Sequence, residues 1–286
     1  MNTRVIVIAN QKGGVGKTTN TIHIARSLAE LGKKCLIIDL DSSAGATTTL
    51  GVPTIGWQTI FEVISGEVEA EEAIITDQDG EVPLPHNIHL IPASPKLNEL
   101  DSFLNRDENL GIVAQDLMLA PIRAVRGKYD YVLLDSAPLV TKTTFPAYKV
   151  ADYAILSTQL EKLSFERLDS AIKLISSAQR NGNNRLSLLG IVVTMAPQPS
   201  TRLAMHYLDL IDKTYVGEDG APYRFDSIIH RNVAIQEAAT ARQTLFEYDP
   251  AHRVVQSYRA IAQEIEDRIK RRELKLNDQT QQVANG

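Results

Sequence analysis

The residues most able to do chemistry stand together near the start of the chain, in Gln11-Lys12-Gly13-Gly14-Val15-Gly16-Lys17-Thr18-Thr19. A β-rich apolar run, Val5 to Ala9, precedes them, and a helical pattern begins near Lys17. Strand, glycine-rich loop and helix in that order form the setting of a phosphate-binding loop. Glycines let successive backbone N–H groups turn inward as an anion nest, and the helix adds its positive end. The cofactor-binding set is therefore Gly13, Gly14, Val15, Gly16, Lys17, Thr18 and Thr19, with ATP and Mg²⁺ as the expected ligands. Lys17 brings a point charge to the β and γ phosphates, and the Thr18 hydroxyl is placed to ligate Mg²⁺. The strict motif has a glycine where this chain has Gln11, and a second lysine, Lys12, follows it. The plainer alternative is a glycine-rich turn in which Lys12 is an ordinary solvated charge.

Carboxylates at strand ends would complete such a site. Asp39-Leu40-Asp41 closes the apolar run that starts at Cys35, and Tyr131-Val132-Leu133-Leu134-Asp135 delivers Asp135. Strand-end acids face the ligand crevice of an open α/β sheet. Thr18, Asp41 and Asp135 are thus the expected metal group, with water filling the other positions. Helix capping for Asp41 and turn capping for Asp135 are the structural alternatives.

The surrounding elements must hold these groups in place. Further strands are expected at Asn87 to Ile91, Tyr153 to Leu156, Leu188 to Thr194 and Phe225 to Ile229. A helical stretch is expected after Ile91 up to about Val125, and another helix over Phe165 to Gln179. Ile22, Ile24, Ala25, Leu28 and Leu31 fall mostly on one face of the helix after the loop, and Gly32 ends it. Pro250 to Arg272 reads as a terminal helix whose Val254, Tyr258, Ile261, Ile265 and Ile269 dock on the body. Ile75 to Asn87 reads as a surface loop. The alternation predicts an α/β fold: a mostly parallel twisted sheet with helices on both faces, Rossmann-like, of the P-loop NTPase class. One domain is expected over residues 1–276, with a polar, flexible tail over 277–286.

Composition narrows the function. With 43 % apolar and 23 % charged residues, the 286-residue chain can build a core without disulfides. One cysteine, Cys35, rules out an intrachain disulfide or multi-cysteine cluster and fits a reducing cytoplasm. No run reaches the roughly 18 to 20 apolar residues of a spanning helix. The start of the chain lacks the pattern of a signal peptide. A net charge of −5 argues against a whole face wrapping nucleic acid but leaves room for a local basic patch.

Gln-Lys-Gly-Gly-Val-Gly-Lys-Thr-Thr resembles the deviant Walker A motif of the ParA/MinD family of ATPases. In that family the early lysine crosses a dimer interface to the partner's phosphates, and Lys12 matches it. The resemblance makes Lys12, Lys17 and Asp41 the catalytic residues, Asp41 matching the aspartate that serves the attacking water. The family's Asp-Pro-Gln-Gly-Asn-Ala-Thr is here Asp41-Ser42-Ser43-Ala44-Gly45-Ala46-Thr47, and its Asp-x-Pro-Pro is Asp135-Ser136-Ala137-Pro138. Ile229-His230-Arg231-Asn232-Val233 through Glu237-Ala238 is similar to the Ile-Pro-Arg-Asn-Val…Glu-Ala of small ParA/Soj-type partition ATPases, with His230 in place of proline. That similarity puts Asn232 near the adenine, and Met195 is a second expected lining residue.

The resemblance implies a homodimer formed with ATP, non-specific DNA binding by that dimer, and a ParB-like or cargo-linked activator, hence a cytoplasmic, nucleoid-associated protein serving chromosome or plasmid partition or cargo positioning. Arg202, Arg224, Arg231, Lys270 and Arg271 are the expected DNA contacts, with solvated helix faces as the alternative. Two cluster cysteines are missing for a nitrogenase iron protein. The region from Leu274 carries too few apolar residues for stable membrane attachment. Because the phosphate loop starts at Gln11, no preceding helix-turn-helix is expected. Two alternatives stay open: a MinD-like positioning ATPase acting on membrane or protein without DNA, and a metabolic P-loop enzyme such as an amidoligase relative.

Overall fold

A computed structural model describes residues 2–284 except 81, 83, 107, 108, 110–112 and 139–142, with side chains described as far as Lys275. Six strands form one sheet: β1 (Arg4–Ala9), β2 (Cys35–Asp39), β3 (Ile88–Ile91), β4 (Tyr131–Asp135), β5 (Tyr153–Thr158) and β6 (Ser187–Val193). Their order is β3-β2-β4-β1-β5-β6, and every neighbouring pair is parallel. Unbroken apolar runs such as Val5 to Ala9 suit strands whose two faces are both covered.

Alternate side chains of β1 enter two separate cores. Val5, Val7 and Ala9 join one; Ile6 and Ile8 join the other. The second core lies under α1 (Lys17–Glu30) and the terminal helix α11 (Arg253–Ala284). Between them in sequence lie α2 (Gly45–Thr49), α3 (Ile60–Ser65), α4 (Leu100–Leu104), α5 (Leu119–Val125), α6 (Thr144–Val150), α7 (Lys162–Arg180), α8 (Arg202–Thr214), α9 (Val233–Thr240) and α10 (Leu245–Tyr248). Residues of α3 to α8 line the first core. Val254, Tyr258, Ile261, Ile265 and Ile269 of α11 are buried, so the apolar stripe docks that helix on the body. Its N-terminus is set by His252, whose Nδ1 accepts from Val254 N–H at 3.1 Å, and the helix runs past Arg272 to Ala284.

Two expected elements take other forms. The helical stretch before Val125 is broken into short pieces, including 3₁₀ turns over Pro95–Glu99 and Ala114–Asp116. Pro95 and Pro121, lacking N–H donors, sit in first turns. Phe225 to Ile229 is not a strand. Phe225 N–H bonds Ile191 O and Ile229 N–H bonds Val193 O, so the segment advances four residues while β6 advances two. Asp226 N–H, on the side away from β6, donates to the Glu264 carboxylate at 3.0 Å.

The position of β1 fixes where ligands can bind. It lies between β4 and β5, and its chain leaves past β4 to β2. Such a switch point opens a crevice at the carboxyl ends of the strands.

Candidate nucleotide site

The loop after β1 fills that crevice. Gly14 and Gly16 have φ of +70° and +79°, a region that L side chains enter only with strain. A Cβ on Gly13 or Gly14 would meet nothing within 4 Å, so the cradle has open space in front of it. Its shape is held from behind. Asn10 Oδ1 accepts from Lys12 N–H at 3.0 Å, Thr194 Oγ1 bonds Val15 O at 2.9 Å, and Gln159 Nε2 donates to Gly14 O at 3.0 Å.

The two lysines diverge. Lys17 is buried, and its Nζ donates to Lys12 O at 3.2 Å. Burial lowers its pKa, while Asp135 and Asp41 pull the other way. A buried ammonium donating to a carbonyl is partly stripped of water, which strengthens its pull on an anion brought to the loop. Lys12 reaches instead to the start of α7, where Nζ pairs with Glu161 and lies 3.3 Å from both Gln159 Oε1 and Ser164 Oγ.

Asp135 ends β4 fully buried. It accepts from Thr18 Oγ1 at 2.7 Å and from Thr21 Oγ1 at 3.1 Å. Asp39 is its Cα partner across the β2–β4 ladder and is equally buried. Burial raises both carboxyl pKa values, and the Asp39 charge raises Asp135 further. Asp39 accepts from Thr47 N–H at 3.0 Å and Thr47 Oγ1 at 2.8 Å, and so anchors α2 beside the loop. A Cβ on Gly45, at the start of α2, would stand 3.4 Å from Thr18 Oγ1. Asp41 is half-buried. Its N–H donates to Asp39 Oδ1 at 3.2 Å, and its Oδ1 accepts from Ser43 N–H at 2.9 Å. Ala44, not Asp41, occupies the cap position of α2. Among the described residues no three His, Cys, Asp or Glu side chains converge as a metal cage. Thr18 and Asp135 together supply hard oxygen donors of the kind that would suit a magnesium ion.

Beside the loop opens a cavity of about 600 Å³ lined by Gly16, Thr19, Met195, His230, Asn232 and Tyr258, among others. Met195 and Asn232, expected at the adenine, are thus brought next to the phosphate loop. Asn232 also caps α9, its Oδ1 accepting from Ala234 N–H at 2.9 Å.

The basic residues differ in how far they are engaged within the chain. Arg224 is tied to Asp212 by contacts of 2.7 and 3.0 Å and is 16 % exposed, so its guanidinium is engaged within the chain. Arg231 borders the nucleotide cavity, and Arg202 is exposed at the start of α8. Lys270 and Arg271 are exposed on α11, with Arg271 Nε donating to Asp267 O at 3.3 Å.

Sequence reasoning gave no role to Asp39, Gln159, Glu161 or Thr194. Asp39 carried a signal, being the other acid of the Asp39-Leu40-Asp41 strand end. The other three lie more than a hundred residues from the loop, and only the parallel sheet brings them to it.

A parallel sheet with this loop at its switch point defines a P-loop nucleotide-binding protein. The family described as an AAA domain matches residues 3–188. The chain is 31% identical over 277 residues to the chromosome-partitioning ATPase Soj of Thermus thermophilus, covering 93% of this chain and 96% of that one. It is 31% identical over 273 residues to the chromosome partitioning protein ParA of Caulobacter vibrioides, covering 95% and 97%. The chain therefore belongs to the ParA/Soj family of P-loop ATPases. Its fold also matches the septum site-determining protein MinD of Pyrococcus horikoshii, complexed with Mg-ADP, with a TM-score of 0.71 at 22% identity over 92% of this chain and 96% of that one.

Proposed function

We propose that the chain is a ParA-like ATPase that binds Mg-ATP, dimerises on it, binds DNA non-specifically as the dimer, and is released when a partner protein stimulates hydrolysis. The observation that carries this is the divergence of the loop's two lysines. Lys17 turns into its own cradle, while Lys12 leaves it for Glu161 at the mouth. A lysine on the loop that does not serve its own site is free to serve another.

In this reading the backbone from Gly13 to Thr19 and Lys17 hold the triphosphate. Thr18 Oγ1 and Asp135 would hold the magnesium ion, which would supply charge neutralisation at the phosphates. Asp41, tied to Asp39 at its backbone and near enough to Lys17 for its charge to oppose the effect of burial there, orients the attacking water. Lys12 of one subunit stabilises the charge developing at the other subunit's site, as an arginine finger does. Asp39 positions α2 and with it the Asp41 loop. Since Arg224 is engaged by Asp212, the DNA contacts fall to Arg202, Arg231, Lys270 and Arg271.

The MinD fold match supports a second reading, action on a membrane or protein scaffold without DNA. No described helix is long and apolar enough to cross a membrane. Co-sedimentation with DNA and with liposomes, each with ATP, ADP or no nucleotide, separates the two. Pelleting with DNA only in ATP, weakening steeply with salt, is expected. Pelleting with liposomes alone would overturn the DNA reading.

A further inference from the structure

His230 lines the cavity beside the phosphate loop. Its backbone is pinned: Ala196 N–H donates to Ile229 O at 3.1 Å and Arg231 N–H donates to Ala196 O at 3.0 Å. The ring's two nitrogens differ. Nδ1 is buried with no hydrogen-bond partner. Nε2 makes no hydrogen bond within the described residues and is not among the buried unpartnered atoms, which leaves it the ring's accessible nitrogen. A buried N–H without an acceptor is rarer and more costly than a bare acceptor lone pair. A bare Nδ1 and a proton on Nε2 fit that arrangement and offer an N–H donor to the cavity.

Asn232, two residues on, repeats the pattern. Its Oδ1 is committed to Ala234 N–H, which leaves its amide N–H groups as donors. Two donor groups thus line a cavity that also holds Met195 and Tyr258 and is continuous with Gly16 and Thr19. The ligand such a wall suits is a flat, partly apolar ring bearing hydrogen-bond acceptors, attached to phosphates. A purine edge meets that description.

We propose that His230 reads the base of the bound nucleotide, donating Nε2–H to a ring acceptor of the purine; this rests on the reading of the loop as an ATP site.

The test is the affinity of the full chain for ATP and for tripolyphosphate, which has no base, with Mg²⁺, by titration calorimetry. Wild type, His230→Phe and His230→Gln are compared. His230→Phe keeps a ring without a donor and should weaken ATP binding roughly three- to tenfold, the worth of one hydrogen bond. Tripolyphosphate binding should not change, and His230→Gln, which restores a donor, should recover most of the ATP affinity. Equal weakening toward both ligands would show that position 230 only shapes the loop, and unchanged ATP affinity would show that no contact is made. Either result overturns the base-reading role and leaves the ATPase reading standing. A wild type that binds neither ligand would overturn both.

Discussion

Lys12 and Glu161 form an ion pair within one chain, joining the phosphate loop to the residue that precedes α7. The pair is 22% and 45% exposed, and Lys12 holds the Glu161 carboxyl below its usual range. Pairs this exposed contribute about 0–1 kcal/mol. That is too little to lock Lys12 but enough to bias it, so exchange from Glu161 to a partner's phosphates is energetically open. Glu161→Gln should therefore favour the ATP-bound dimer by up to about fivefold in its dissociation constant, measured by analytical ultracentrifugation. A weaker dimer would mean that Glu161 supports the interface instead.

Asp135 and Asp39 place two carboxylates side by side in the dry end of the sheet. Asp135→Asn removes one of them while keeping the shape that receives Thr18 and Thr21. Without nucleotide the variant should be as stable as wild type or more so, by about 1 kcal/mol in urea unfolding. The stabilisation that Mg-ATP gives wild type should vanish. Loss of stability by several kcal/mol would show that the charge at Asp135 is structural.

His23 gives a pH prediction. It is fully buried on α1, bonded to Thr19 O at 2.7 Å, accepting from Leu245 N–H at 3.1 Å and stacked on Tyr258 at 4.9 Å. Burial lowers its pKa to about 4. The unfolded chain holds that proton near 6.5, so the stabilisation is present above that value. It is lost as pH falls toward 4 and amounts to about 3 kcal/mol at most. His23→Gln should flatten the slope of unfolding free energy between pH 6.5 and 4 by about one proton. An unchanged slope would place the acid sensitivity elsewhere.

Tyr258 links α11 to α1 through its hydroxyl, which donates to Asn20 Oδ1 at 2.8 Å; Asn20 Nδ2 in turn donates to Ser157 Oγ at 2.8 Å. Tyr258→Phe leaves a buried acceptor unpaired and should cost about 1–3 kcal/mol in denaturant unfolding. A change near zero would mean that Asn20 finds another donor.

Much of this was legible in the residues, for physical reasons. The phosphate loop is local: a glycine-rich turn between a strand and a helix is written in consecutive positions, and so was the apolar stripe of α11. The six strands could be read because they are buried on both faces and so unbroken in apolar character. Phe225 to Ile229 is apolar at its two ends, with Asp226 and Ser227 between them. Its bonds to β6 are four residues apart where those of β6 are two apart, a bulge that no local pattern reports. Glu161 and Asp39 escaped for a related reason. Their roles depend on which groups the sheet sets beside them, Lys12 for one and Asp135 for the other. Arg224 looked available because its partner, Asp212, reaches it only after α8 forms.

The trans role of Lys12 is tested most directly by mixing two inactive variants. Lys12→Ala keeps its own cradle but has no lysine to give, while Lys17→Ala has a damaged cradle and an intact Lys12. Each should have little ATPase activity alone, and the mixture should regain activity through mixed dimers with one complete site. If Lys12→Ala alone turns over like wild type, or if mixing restores nothing, Lys12 does not act across a dimer.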